Sequence, residues 1–403
     1  MPLAPKILIA VIGYNRPRAL SRLLESLKQV QGIDQQVDLL ISLDGAGDPE
    51  CLQVSKGMDW QQGGVKLAPQ SRHLGLKEHV ESVIARVMDY DAIVILEDDL
   101  SVSPWMLHYC QQAFQYFHAA EKVAQIALYG TRLNDTSGLP FEPMDDGFDC
   151  WFARYPCSWG YMITRSQWQK YNQWRNNGSE MNGRRLPEPT EKWGHSWKRD
   201  FFSYLASSES LVVYPRVSLS TNHGDPGANY GRPAPELQVP LEAVKRQYTF
   251  SRAEESSARY DEWLEPFPGQ LGLESQQAEK VVVDLMGQKT GPFPKDGYLL
   301  SSKPCTEPIL EFSMDLIPLE QNVRWKKSPS GDDKISLGKA ESFIEKTFQP
   351  GILQQRIPPR LYEAICRQAI EGDRREKKTS EKKLIHWLGG VRKKFKKGRF
   401  KWW

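Results

Sequence analysis

The chain is 403 residues long, with 40% hydrophobic and 26% charged residues, which is the composition of a globular protein with room for one large domain and an appendage. Nine Lys or Arg and no Asp or Glu fall between 382 and 403, which leaves residues 1–381 at a net −6 against +3 for the whole chain. A mildly acidic body argues against a large nucleic-acid-binding face, and the basic character belongs to the tail.

The six cysteines form no C-x-x-C pair, a pattern of reduced cytosolic thiols rather than of a disulfide framework. No apolar run approaches the ~20 residues that span a bilayer. The short N-terminal run Ile7–Ile12 lacks a signal-peptide cleavage pattern and leads into Gly13-Tyr14-Asn15. A cytoplasmic protein is expected.

In chain order, Lys6–Ile12 has the β-branched composition of a buried strand. Asn15-Arg16-Pro17 then offers a polar cap and a first-turn proline, and Leu20, Leu23, Leu24, Leu27 and Val30 recur on one helical face. Val37–Leu43 is a second strand, ending at Asp44-Gly45. Val80, Val83, Ile84 and Val87 mark another helix. Ala92–Leu96 is a further strand, ending at Glu97-Asp98-Asp99. Strand–helix alternation of this kind predicts an α/β fold with a mostly parallel sheet, and ligands of such sheets bind beyond the strands' carboxyl ends. Asn15-Arg16, Asp44-Gly45 and Glu97-Asp98-Asp99 all fall at such ends.

Three adjacent carboxylates repel one another at the rim of a core unless a cation sits among them. Mg²⁺ or Mn²⁺ takes oxygen ligands and typically joins one or two carboxylates to substrate phosphates. The plain alternative is a solvated acidic loop. The turn after the first strand, Gly13-Tyr14-Asn15-Arg16-Pro17, lacks the glycines of a dinucleotide site, and no G-x-x-x-x-G-K-[ST] loop occurs. Phosphate must then be held through a metal and side chains.

Ala10-Val11-Ile12-Gly13-Tyr14-Asn15-Arg16-Pro17, Ser42-Leu43-Asp44-Gly45 and Val94-Ile95-Leu96-Glu97-Asp98-Asp99-Leu100 resemble the glycosyltransferases of the GT-A fold, in particular the N-acetylglucosaminyltransferase I type and bacterial family 2 enzymes. The resemblance continues through Cys157-Ser158-Trp159-Gly160-Tyr161-Met162, Tyr214-Pro215-Arg216-Val217-Ser218 and Asn222-His223-Gly224, and covers about residues 6–230. It implies a Rossmann-like sheet flanked by helices and an inverting, metal-dependent transfer of a sugar from a nucleoside diphosphate. The donor would be a UDP-sugar and the acceptor a hydroxyl of a glycan or glycolipid. By the same resemblance Asp44 reads the nucleotide base and Arg16 lies near the nucleotide. Asp99 ligates Mn²⁺ (or Mg²⁺), and Glu97 and Asp98 face the ribose and sugar. His223 completes the metal shell or touches the diphosphate, unless it is a loop histidine with no duty.

Relatives carry their catalytic acid one or two residues after a tryptophan. Here Lys198 and Arg199 follow Trp197, and Asp200 comes third. Asp200 is the expected base and Asp225 the next candidate; Asp200 could instead simply pair with a nearby cation. Trp151, Trp159, Trp193 and Trp197 are either sugar-stacking faces or core.

The expected domains are a transferase domain over 1–235, a connector over 236–280, a mixed accessory region over 281–380 and a basic amphipathic tail over 381–403. In the accessory region Val281–Leu285, Tyr298–Leu300, Ile309–Phe312 and the segment near Val323 suggest short strands, and Pro359–Ile370 a helix. Leu384, Trp387, Leu388, Val391 and Phe395 recur at helical spacing among Lys and Arg, the pattern of an interfacial anchor on an anionic membrane surface. That would place the protein at the inner face of the cell membrane. Two rival readings are a sugar-nucleotide nucleotidyltransferase, which would want a glycine-rich triphosphate loop, and a non-catalytic membrane-associated scaffold.

Overall fold

The computed structural model describes residues 5–344 except 34, 46–47, 135–137, 179–184, 195, 228–232, 275–277, 295 and 332. The described residues belong to one compact unit, Met1–Gln349. The expected helix Pro359–Ile370 and the basic tail lie outside them.

Seven strands and four helices make the first half: β1 (Ile7–Gly13), α1 (Pro17–Lys28), β2 (Asp38–Leu43), α2 (Pro49–Lys56), β3 (Val65–Pro69), α3 (Leu76–Ile84), β4 (Ala92–Glu97), β5 (Leu100–Val102), α4 (Met106–Phe117), β6 (Val123–Ala127) and the short β7 (Leu133–Asn134). There follow β8 (Leu139–Pro140), β9 (Cys150–Ala153), β10 (Tyr161–Thr164), α5 (Arg165–Asn176), α6 (Trp197–Ser208), β11 (Leu211–Pro215), β12 (Ser220–Asn222) and β13 (Arg259–Tyr260). The main sheet has nine strands in the order β13-β9-β11-β6-β10-β4-β1-β2-β3. The fold is α/β, with a large, mostly parallel sheet flanked by helices. β3, β2, β1 and β4 run parallel, and β10 enters antiparallel between β4 and β6.

The apolar runs of β1 and β4 are continuous because both faces are covered. On β1, Ile7, Ile9 and Val11 enter the core on the α1 side, while Leu8, Ala10 and Ile12 enter the core on the α3 side. β4 repeats the division, with Val94 and Leu96 on the first side and Ile93 and Ile95 on the second. The face of α1 is the expected one: Leu20, Leu23, Leu24 and Leu27 are buried. Its cap differs. Arg16 is the N-cap residue and makes no capping bond with its side chain, which is engaged elsewhere. The second predicted helix closes as a 3₁₀ turn over Ala85–Asp89, with Val87 still buried.

A second sheet of four strands, in the order β14-β15-β17-β16, is built from β14 (Val281–Asp284), β15 (Tyr298–Ser301), β16 (Pro308–Ser313) and β17 (Lys334–Lys339). The segment near Val323, expected as a strand, is the short helix Glu320–Arg324, which buries Val323 against this sheet's core. The described cysteines form no disulfide among the described residues.

Candidate functional site

Period-two alternation sends the acids after β4 to different neighbours. Leu96 faces the α1 side, so Glu97, paired in register with Ile12, turns toward the opposite core where Tyr161 and Trp197 lie. Asp98 returns to the α1 side, where its Oδ1 accepts from Arg16 Nη2. Asp99 Oδ2 accepts from Arg16 Nη1 at 3.1 Å. Gly13 lies against this pair: a Cβ there would press on Leu43 Cδ2 at 3.1 Å and reach ordinary contact with Asp98 Oδ2 at 3.7 Å.

These groups titrate abnormally. Burial pushes Asp98 up to about 6 even though Arg16 opposes it. Burial, then Asp99 and Asp98, push Glu97 up to about 8. Burial alone would lower Arg16, but Asp98 and Asp99 together raise it. The guanidinium thus neutralises the pair that the sequence marked as a cation site.

His223 reaches the same rim from the other side. β12 pairs antiparallel with β5, and the His223 N–H donates to the Asp99 carbonyl at 3.0 Å. His223 Nε2 is 2.8 Å from Ser101 Oγ. Burial first, then Arg22, holds the ring below the usual imidazole range, so it stays neutral and suited to a metal. The loop beyond it folds over α1: a Cβ at Gly227 would lie 3.0 Å from Arg16 Nη1, and Arg22 Nη2 pairs with Asp225. Gly224 has φ +62, and a Cβ there would lie 2.0 Å from the Ala234 carbonyl oxygen, so only glycine fits.

Asp44, at the end of β2, is 3% exposed. Its Oδ1 accepts from the N–H groups of Gly45 (2.8 Å) and Leu74 (2.7 Å) and its Oδ2 from Gly75 N–H (3.0 Å), while His73 Nδ1 lies 2.9 Å from the same Oδ2. Burial would raise this carboxyl, but the N–H groups of Leu74, Gly75 and Gly45 outweigh it and hold it low. His73 stacks on Tyr14 with ring centroids 4.7 Å apart and planes at 26°.

Asp200 lies in the first turn of α6 and binds Lys77 Nζ at 2.5 Å. Lys198 Nζ sits over the rings of Trp193 (5.0 Å), Tyr155 (5.4 Å) and Trp159 (5.6 Å). Trp151 and Trp197 are core residues, 1% and 4% exposed, and Trp159 and Trp193 are half-buried around Lys198.

The structure thus brings Arg16, Asp98, Asp99 and His223 together, puts Glu97 on the aromatic side, and gives Asp44 and Asp200 local partners. Sequence reasoning missed His73 and Lys77. Both follow β3, a short edge strand with no apolar run to announce it. Reading that strand's carboxyl end with the others would have found them.

Among the described residues no group of three or more His, Cys, Asp or Glu side chains is clustered closely enough to hold a metal alone. A divalent ion shared with a diphosphate needs only one or two protein carboxylates. One observation fits such an ion: Asp99 Oδ1 is buried and has no hydrogen-bond partner, an unmet acceptor of the kind that calls for a cation.

No protein-family model and no curated protein matches the chain. Among solved structures it is similar to the mannosyltransferase PcManGT from Pyrobaculum calidifontis, in complex with GDP-Man and Mn²⁺, at 10% identity and a TM-score of 0.31, over 44% of this chain and 48% of that one. It is also similar to S. aureus TarS 1-349, at 12% identity and a TM-score of 0.36, over 53% and 59%, and to the same protein in complex with UDP, at 12% and 0.35. The chain spans about half the length of the solved structures it matches.

Proposed function

We propose that the chain is an inverting glycosyltransferase that moves a sugar from a UDP-sugar to a hydroxyl of a glycan or glycolipid, with Mn²⁺ or Mg²⁺. The observation that carries the reading is the partnerless buried Asp99 Oδ1 beside Asp98, Arg16 and His223 at the carboxyl ends of β1 and β4. Asp99 and His223 would hold the metal, with Asp98 keeping Arg16 beside it. When bound, such an ion supplies Lewis-acid neutralisation of charge on the departing diphosphate.

The remaining roles belong to side chains. Arg16 offers a forked donor set to the diphosphate. Tyr14 and His73 offer an aromatic face to the base, above the loop that Asp44 fixes. Glu97, on the aromatic side, faces the ribose and transferred sugar. Asp200, which Lys77 holds in place, takes the acceptor proton. Trp159 and Trp193 line the acceptor side. Among the described residues no helix is long and apolar enough to cross a membrane, and the basic segment 382–403 would supply peripheral attachment to an anionic surface.

The test is a screen of UDP-, GDP- and dTDP-sugars for Mn²⁺-dependent thermal stabilisation, followed by release of free nucleotide. Stabilisation by one nucleotide class with turnover is the expected result. No nucleotide binding with or without metal would overturn the proposal, and binding without turnover would favour the scaffold reading.

A further inference from the structure

Resting on the transferase reading, we infer that Lys198 and the rings around it form a subsite for an oxyanion on the acceptor. The acceptor sugar then carries a carboxylate or a phosphate ester close to the hydroxyl that is glycosylated. Lys198 Nζ lies 5.0 Å from the centre of the Trp193 ring, 5.4 Å from that of Tyr155 and 5.6 Å from that of Trp159. Each distance is within the ~6 Å over which a ring face attracts a cation. Three rings converging on one ammonium fix where its charge sits. An ammonium has N–H donors and no acceptor, so what it takes from a substrate is an oxygen acceptor, best an ionised one.

Other features at the same place point to such a ligand. α6 opens here: Lys198 and Arg199 are in its first turn, Ser196 at its N-cap makes no side-chain capping bond, and the first-turn acid Asp200 is paired with Lys77. The positive end of the helix dipole therefore adds to the lysine. The Tyr155 and Tyr161 hydroxyls are buried with no hydrogen-bond partner among the described residues. Tyr155 is one of the rings at Lys198, and Tyr161 packs on Trp197 with centroids 5.2 Å apart. Buried hydroxyls left unmet call for a partner, which the oxygens of a sugar and its acid group supply. Trp159 and Trp193 are half-buried, which leaves ring surface for a sugar's apolar face. The Trp193 segment is braced by the second sheet: Glu188 accepts from Thr290 Oγ1 at 3.1 Å, and Arg185 donates to the Gly291 carbonyl. Lys198 is also within electrostatic reach of Glu97, so the anion would sit beside the carboxylate proposed to face the transferred sugar.

The experiment titrates matched methyl glycosides of glucose, galactose and mannose into the full chain saturated with Mn²⁺ and UDP, followed by saturation-transfer NMR. Each sugar is used as the neutral glycoside, the 6-carboxylate and the 6-phosphate, at about pH 7.5, where both acids are ionised. In at least one series the wild type should bind an acidic member at least ~10-fold more tightly than the neutral one, the low end for a hydrogen bond to a charged group. The tighter of the two acids distinguishes a uronic acid from a phosphorylated sugar. Lys198→Met keeps an apolar stem among the rings without the charge, so it should bind acidic and neutral members within about threefold of one another. Lys198→Gln is a second neutral variant with the same expectation, and Lys198→Arg should restore the preference.

A wild type that binds acidic and neutral members alike in every series, or binds none of them, would overturn the assignment. So would a preference for the acids that Lys198→Met and Lys198→Gln retain. Titration of UDP with Mn²⁺ reads the donor step separately. A wild type that binds no UDP would sink the transferase reading and the acceptor assignment with it, whereas UDP binding without a preference for the acids would sink the anion subsite alone.

Discussion

Asp99→Asn separates a metal ligand from a structural carboxylate, because the two roles predict different sizes of effect. In the free protein Asp99 contributes one hydrogen bond to Arg16, at 3.1 Å, with both side chains part-exposed. Arg16 keeps Asp98 in the variant, so the loss is that of a partly solvated ion pair, about 1 kcal/mol. For a chain this size that is a fall of about 2 °C in Tm. Ligand linkage is larger. At ~100 times its Kd, Mn²⁺ with UDP stabilises the wild type by about 2.7 kcal/mol, a rise of about 5 °C. The variant should melt slightly lower than wild type and show no rise with Mn²⁺ and UDP together. The assay is differential scanning fluorimetry across a metal and nucleotide matrix. An equal rise in both proteins refutes the reasoning, and a wild-type rise independent of Mn²⁺ refutes the metal.

Asp200→Asn should lower turnover ~10²–10⁴-fold with UDP binding nearly unchanged; normal turnover there, beside a dead Asp225→Asn, would hand the role to the loop. Arg16→Gln should weaken UDP by at least ~10-fold, as expected for a lost charge-assisted bond, and an unchanged Kd would remove Arg16 from the diphosphate. Away from the site, burial pushes Glu320 up to about 7 although the Tyr260 hydroxyl, donating at 2.7 Å, opposes it. A folded value above the ordinary 4.5 gives stability that is full at low pH and lost as pH rises toward about 7. Between pH 4.5 and 8 the wild type should lose about 3 kcal/mol more than Glu320→Gln in urea denaturation, and parallel curves would contradict the assignment. Truncation after Glu381 should abolish sedimentation with anionic vesicles, since each Lys or Arg near such a surface contributes about 1 kcal/mol; undiminished binding would exclude the tail.

How much was legible follows from where the physical signal lay. β1, β2 and β4 were readable because strands buried on both faces leave continuous apolar runs, and the polar residues ending them stand out. β3 left no such run, because as an edge strand it buries none of its five residues fully. The His73 and Lys77 that follow it went unread for the same reason. β17, Lys334–Lys339, also escaped, though it joins two strands that were expected. The segment at Val323 was apolar enough for a strand, but a helix lets Glu320, Asn322 and Val323 all be buried within one turn. Burial of a polar side chain is decided by partners distant in sequence, and Glu320 has its partner at Tyr260.

The site shows the same limit more sharply. Sequence alone identified acids at strand ends, but not which of them would still have a lone pair to offer. Asp44 and Asp99 look equivalent in the chain, each an aspartate just past a buried strand. Folding gives both oxygens of Asp44 hydrogen bonds from the N–H groups of Gly45, Leu74 and Gly75, and leaves one oxygen of Asp99 with none. A carboxylate bonded at both oxygens gains less from a new ligand than one with an oxygen unmet. On that ground Asp99 is the acid we propose for the cation.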